Sequence, residues 1–274
     1  MSGSQSSKVF MFDNSDPEMQ RAYETARATF RYFWREIAWE RRRIIPALSL
    51  ACVKMPFSDG AADPGTQDAS QVEQMWVGEI DFDGRVVSGA LLNSPNWLKT
   101  VQVGDAVRRP LNEITDWMYA INGDVYGAYT VNLMRSRMNS QERESHDGAW
   151  GLNFGDPQKI RVAPEPKKSG GLMKALFGGR GGATDPEHPM SAAMGPPLKD
   201  QLAKDPSMLH SKDDRGWTLL HHQALAGSLA TVEILLECGA DPNAATDDGT
   251  TPVQLAEALG WDKVVALLAR KGAR

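Results

Sequence analysis

Apolar residues recur at spacings of three and four through Met19, Tyr23, Ala26, Phe30, Phe33, Trp34, Ile37 and Ile44, which predicts one long helix with a core-facing stripe. Asp16 is placed to cap it, Pro17 suits its first turn, and Pro46 enforces a stop near Arg43. Tyr32 and Trp39 fall roughly opposite the stripe, beside Arg35, Arg42 and Arg43. Three uses are open to that second face. It can pack on a later part of the chain, anchor a partner protein, or stack on nucleic acid, although Glu36 and Glu40 dilute its basic character. Beyond Pro46 the period shortens to two. Residues 48–57 predict a strand. Residues 75–93 predict a hairpin turning at Asp83-Gly84, with Ile80 facing Val87, Trp76 facing Leu91, Glu79 facing Ser88 and Asp81 facing Val86. A second hairpin is expected over 114–127 around Asn122-Gly123, and Asn139 with Glu142 reads as a capping box opening a helix over 140–149.

The pattern then breaks. Residues 157–197 are rich in Pro, Gly and small polar residues and offer little to bury, so 158–197 is expected to be a flexible linker between a unit at 15–157 and another at 198–274. Within it, LMKALF (172–177) is a short apolar island flanked by Lys167, Lys168 and Arg180. It can be mere linker, a docking peptide or a membrane-surface contact, for which one and a half helical turns are short.

Periodicity of another kind governs the C-terminus. Asp214 recurs as Asp247, Gly216 as Gly249, Thr218 as Thr251, Gly227 as Gly260, Val232 as Val265, Leu235 as Leu268, and Gly239-Ala240 as Gly272-Ala273, an offset of 33 residues throughout. Thr218 and Thr251 can cap the helices that follow, and Leu220, Ala224, Ile234 and Leu235 would lie between stacked helix pairs. The strings DRGWTLLHHQALAGSLATVEILLECGADPN and DDGTTPVQLAEALGWDKVVALLARKGA resemble ankyrin repeats. The match has departures: Leu219 stands for Pro and Gln223 for Ala in the first repeat, Gln254 for His and Glu257 for Ala in the second. Residues 198–213 read as a degenerate half repeat ahead of the two full ones.

The aromatic-rich strings FRYFWREIAWERRRIIPAL, QMWVGEIDFDGRVVSGALLNSPNWL, ITDWMYAINGDVYGAYTVNLMRSRM and HDGAWGLNFGDP resemble the DUF2314 family over nearly all of 15–157. The expected fold is therefore an α+β N-terminal domain, a long helix packed on antiparallel β hairpins, followed by an all-α ankyrin-repeat domain. The DUF2314 resemblance carries no established active site. Proteins joining this domain to ankyrin repeats resemble immunity proteins encoded beside toxins, including type VI secretion effectors. What that implies is a non-enzymatic binder that neutralises a cognate toxin, a nuclease among the candidates. The alternative is an enzyme of unknown type in 15–157 whose substrate the repeats recruit.

Composition narrows the choice. A net charge of −5 and a pI near 5.6 argue against general nucleic-acid affinity. The N-terminus lacks a signal-type apolar core, and nothing reaches membrane-span length, so a cytoplasmic protein with no membrane partner is expected. Cys52 and Cys238 read as reduced core thiols. No catalytic, cofactor or metal residue is predicted. The sequence shows no zincin, nucleophile-elbow or paired-cysteine motif, and His221 occupies a structural ankyrin position beside His222. The expected partner-binding residues are Asp214, Arg215, Trp217, Asp247, Asp248 and Thr250 at the repeat tips, Leu225 and Leu259 in the groove, and Tyr32 and Trp39 on the first helix. Trp217 can anchor a partner or pack on the half repeat at Leu209. Self-association into a homodimer is left open.

Overall fold

The computed structural model describes residues 16–59, 72–164 and 187–274. The LMKALF island lies outside the described residues, as does most of the expected linker. Helix α1 (Pro17–Glu40) begins as its sequence dictates: the Asp16 carboxylate accepts from Glu18 N at 2.9 Å and Pro17 fills the first turn. Its apolar stripe lies on a six-stranded sheet of order β4-β3-β2-β1-β5-β6, antiparallel at every pairing. The strands are β1 (Leu48–Phe57), β2 (Glu73–Phe82), β3 (Val86–Leu91), β4 (Ala106–Pro110), β5 (Asp116–Ile121) and β6 (Asp124–Gly127). Phe30, Phe33 and Trp34 meet Phe82, Trp117 and Tyr119 across that contact in tilted or edge-on pairs. On the opposite face, α2 (Tyr129–Ser136) and Phe154 cover Cys52, Met118 and Ala120. Helix α3 (Ser140–Trp150) starts at the expected Asn139–Glu142 capping box.

Both hairpins form, but the first is not in the expected register. Val77 pairs with Leu91 and Phe82 with Val87, and the ladder shifts between Gly78 and Asp81. Glu79 there adopts φ 52°, a left-handed value that strains a non-glycine residue. The turn takes residues 83–86 rather than Asp83-Gly84 alone, so Asp81 pairs with Ser88 rather than facing Val86 and Ile80 no longer faces Val87; the bulge, farther from the turn, then inserts one residue on β2 and brings Val77 opposite Leu91. The second hairpin turns through Asn122 and Gly123 at φ 51° and 83°, the primed geometry its Asn-Gly pair favours.

The C-terminal helices are α4 (Pro189–Lys204), α5 (Leu219–Leu225), α6 (Leu229–Glu237), α7 (Pro252–Ala258) and α8 (Asp262–Arg270). Helix α4 starts inside the expected linker. Pro196 and Pro197, which argue locally for a break, sit within it. Packing overrides the local preference: Leu198 and Leu202 are buried, and Gly195 approaches Ile234 so closely that a methyl there would meet its Cδ1 at 2.9 Å. The two halves are not separated by a gap in packing. One continuous core runs from Phe30 and Trp117 to Leu225, Leu255 and Trp261.

Candidate protein-interaction surface

Each ankyrin tip is built by local capping. Asp213 accepts from Arg215 N and Trp217 N at 3.0 and 2.9 Å, and Gly216 at φ 72° turns the chain. One repeat later Thr246 takes the place of Asp213, accepting from Thr250 N at 2.9 Å, with Gly249 at φ 82°. Asp247 N donates to Arg215 O, which ties one tip to the next. The helix starts repeat too. Thr218 N donates to His221 Nδ1 at 3.1 Å, and Thr251 N donates to Gln254 Oε1 at 2.9 Å, so Gln254 performs the same cap as the histidine it replaces. His221 is fully buried and its pKa is held down by that burial. His222 Nε2 lies 3.1 Å from Asp213 Oδ2. Burial works to raise the Asp213 pKa, but the two tip amides and His222 outweigh it and leave it below the ordinary value.

The second face of α1 packs on the C-terminal half of the chain, at the turn between α7 and α8 and at the segment ahead of α4. Arg31 Nη1 donates to Gly260 O at 2.9 Å; the Tyr32 ring meets Trp261 edge-on at 6.3 Å; Arg31 and Arg35 both stand over the Trp261 indole. Further along, Trp39 is fully buried and stacks on His188 at 5.6 Å with the rings 5° from parallel. His188 Nδ1 accepts from Met190 N, which leaves Nε2–H to donate to Glu36 at 3.1 Å. Glu36 also binds Arg43 at 2.7 Å. Desolvation alone would raise the Glu36 pKa, and these two partners reverse the direction. At the tips, Asp81 accepts from Arg41 at 2.8 Å and Arg215 at 3.0 Å.

The expected partner residues therefore divide. Trp39, Trp217, Leu225, Thr250 and Leu259 are buried and Tyr32 is half-buried, so the availability expected of them is corrected: the chain's own packing covers them. The Trp217 ring lies between the Arg215 guanidinium at 4.6 Å and His222 at 5.1 Å. Asp214, Asp247 and Asp248 remain exposed, and Arg215 is half-exposed but committed to Asp81. Sequence reasoning missed Trp261 and His188. A signal existed for the first, since Trp261 stands where the preceding repeat has the small Ser228. Its size fills the space above Gly227, and its Nε1 donates to Leu225 O at 3.0 Å.

A buried polar network lies under the sheet's second face. Lys54 donates to Thr130 Oγ1 at 2.7 Å and lies 4.6 Å from the Trp76 ring centre. Thr130 donates in turn to Asp116, which also accepts from Trp117, Tyr129 and Thr130 amides. Burial pushes the Asp116 pKa up and the Lys54 pKa down. The network caps the start of α2, which follows Ala128 in left-handed conformation, and we assign it that holding role. Among the described residues no group of three or more His, Cys, Asp or Glu is arranged to hold a metal ion, and no helix is long and apolar enough to cross a membrane.

Comparison with known proteins places these features. Residues 16–154 match the family described as an uncharacterized protein conserved in bacteria, DUF2314, and residues 190–274 match ankyrin repeats. Over 263 residues the chain is 40% identical to a Neisseria meningitidis serogroup B protein named for its ankyrin repeats, covering 96% of this chain and 97% of that one. It is 26% identical over 65 residues to the uncharacterized protein YegJ of Escherichia coli K12, which covers 24% of this chain and 42% of the relative. A stretch of 69 residues is 41% identical to calmodulin-binding transcription activator 5 of Arabidopsis thaliana, covering 23% of this chain and 8% of that protein.

Proposed function

We propose that this chain, which belongs to the DUF2314 family and joins its domain to ankyrin repeats, is a non-catalytic protein-binding protein of the cytoplasm that neutralises a cognate secreted toxin. Ankyrin repeats serve protein–protein interaction. The observation that carries the proposal further is the row of exposed carboxylates at the tips. Asp214 and Asp247 stand at equivalent positions of adjoining repeats and make no ion pair among the described residues, and Asp248 is exposed beside them. Consecutive tips stack roughly 10 Å apart, so these charges sum to one negative field that speeds encounter with a basic surface, such as a nuclease groove. Thr246 holds Asp248 ionised through a hydrogen bond that lowers its pKa.

The test is co-expression with the toxin encoded beside this chain's gene, scored by growth and by complex formation. Wild type is expected to protect and to form a salt-sensitive complex. Changing Asp214, Asp247 and Asp248 together to Asn is expected to slow association about tenfold at low salt. Protection unaffected by the triple change overturns the electrostatic reading. No binding and no protection overturns the toxin reading itself, and protection without any complex favours an enzyme in 15–157.

A further inference from the structure

We infer that a split in the sheet between β1 and β2 is a docking groove for an extended peptide of a partner protein, one that alternates aliphatic and basic residues. The proposal rests on the protein-binding reading above and names where such a partner is gripped.

The sheet is not closed along its length. Strand β1 pairs with β2 only from Val53 to Phe57, although β1 begins at Leu48 and is paired with β5 over both halves. The cause is the bulge on β2. At Gly78–Asp81 that strand bends toward β3 and leaves the first half of β1 without a neighbour on that side. An internal edge results, and it is rare for a fold to leave one uncovered because unpaired strand groups recruit other strands. Four residues, 48–51, give it a reach of roughly 13 Å.

The opening is a cleft of about 470 Å³ lined by Ile37 from α1, Leu48 and Leu50 from β1, and Glu79 and Ile80 from the bulge. Arg41 already uses part of it as a strand would. Its guanidinium donates to the Ile80 carbonyl at 2.8 Å, so one acceptor on the bulged strand is satisfied by a side chain where a backbone amide would be expected. In the segment that leads from α1 into β1 stand Ile44 and Ile45, 99% and 80% exposed, the two most exposed large apolar side chains of the described residues. Neither is needed to fill the core, and two adjacent bare isoleucines carry a solvation cost with no folding return.

Charge selects the occupant. Arg41 is paired with Asp81, and Glu40 with Arg43 while it also accepts from Ala47 N and Leu48 N. Among the described residues the exposed Glu79 side chain has no hydrogen bond or ion pair, and its backbone is held at φ 52°. Glu79 is thus a negative charge on the cleft wall with no ion pair among the described residues, while Arg41 shares Asp81 with Arg215, and backbone strain of this kind clusters at functional sites. A bound strand would pair its backbone with β1, set aliphatic side chains on Ile44 and Ile45, and place a Lys or Arg on Glu79.

The test uses the full chain and a fluorescein-labelled peptide of sequence Val-Lys-Val-Arg-Val-Lys-Val, read by anisotropy. Three comparison probes are the same peptide with Glu at the basic positions, with alternate amides N-methylated, and scrambled in order. The basic peptide is expected to bind, and the N-methylated peptide is expected not to. Affinity is expected to fall about tenfold in an Ile44→Ser/Ile45→Ser double variant and about threefold in Glu79→Gln. Both changes are at exposed positions, so an unchanged melting temperature confirms that they act on the groove. Equal binding of the N-methylated or the acidic peptide overturns the proposal, as does wild-type affinity in the isoleucine double variant. Failure is separable from failure of the toxin reading. Toxin protection retained by the double variant overturns the groove alone, whereas peptide binding by a chain that does not protect supports the groove and overturns the toxin.

Discussion

Replacing Trp39 by Ala tests whether the aromatic face of α1 is internal structure or a partner anchor. Trp39 has 0% exposure, stacks on His188 and has the Arg42 guanidinium 5.6 Å from its ring. Truncating a fully buried Trp costs about 3–5 kcal/mol, and the stacked pair adds about 1 kcal/mol. An opposing effect comes from the indole Nε1, which is buried without an acceptor, so its removal relieves about 1–2 kcal/mol. The net loss expected is about 3 kcal/mol. For a chain of this size that lowers the melting temperature by roughly 6–12 °C, at 2–4 °C for each kcal/mol. Urea unfolding followed in parallel by tryptophan fluorescence and far-UV circular dichroism gives the number. The two signals are expected to shift together, because Trp39 belongs to the core that both halves share. A loss below about 1 kcal/mol, with a partner's binding abolished, would refute the packing account.

Three further outcomes are expected. In Gly227→Ala the new methyl runs into the Trp261 indole while the backbone stays at φ 66°, so stability falls by about 3 kcal/mol or more; a wild-type urea midpoint would show that Trp261 is not seated there. Trp217→Ala removes a ring with 5% exposure, and calorimetry is expected to show a loss of about 3 kcal/mol, against the unchanged melting point a pure recognition residue would give. The pKa values of His221 and His222 are both depressed by burial from 6.5, so the unfolded chain binds the extra protons; stability is full above that value and lost as pH falls through it. Urea midpoints are therefore expected to be lower at about pH 5.5 than at about pH 7.5, and equal midpoints in wild type and His221→Gln/His222→Gln at both would contradict the assignment.

Much of this was legible residue by residue. The Asp16 cap, the Asn122-Gly123 turn and the Asn139–Glu142 box depend on atoms within four positions of one another, so the sequence carries them directly. Helix α2 escaped because its cap is Asp116, thirteen residues upstream, and because only the folded sheet brings that carboxylate to Tyr129 N. Strand β4 escaped for another reason. It is an edge strand in which Val107 alone is buried, so no apolar alternation marks it. The Pro196-Pro197 pair misled in the opposite sense, since a local breaking signal yielded to the burial of Leu198 and Leu202. On the interaction surface, the tip carboxylates were found from the 33-residue repeat, while the burial of Trp217, Leu225 and Leu259 was not.

By itself, then, the sequence determined the two classes of element, the ankyrin period and the caps at Asp16, Asn139, Thr218 and Thr251, because periodicity and capping are short-range properties of the chain. Only the tertiary structure decided which strands are neighbours, where β2 bulges, and that the second face of α1 packs on Trp261 and His188 of the chain's own C-terminal half. Tyr32 and Trp39 are apolar surface with no address written into them. Burial is non-directional, so any complementary face will serve, and the one selected was the one the folded chain holds within reach: Trp261 and His188.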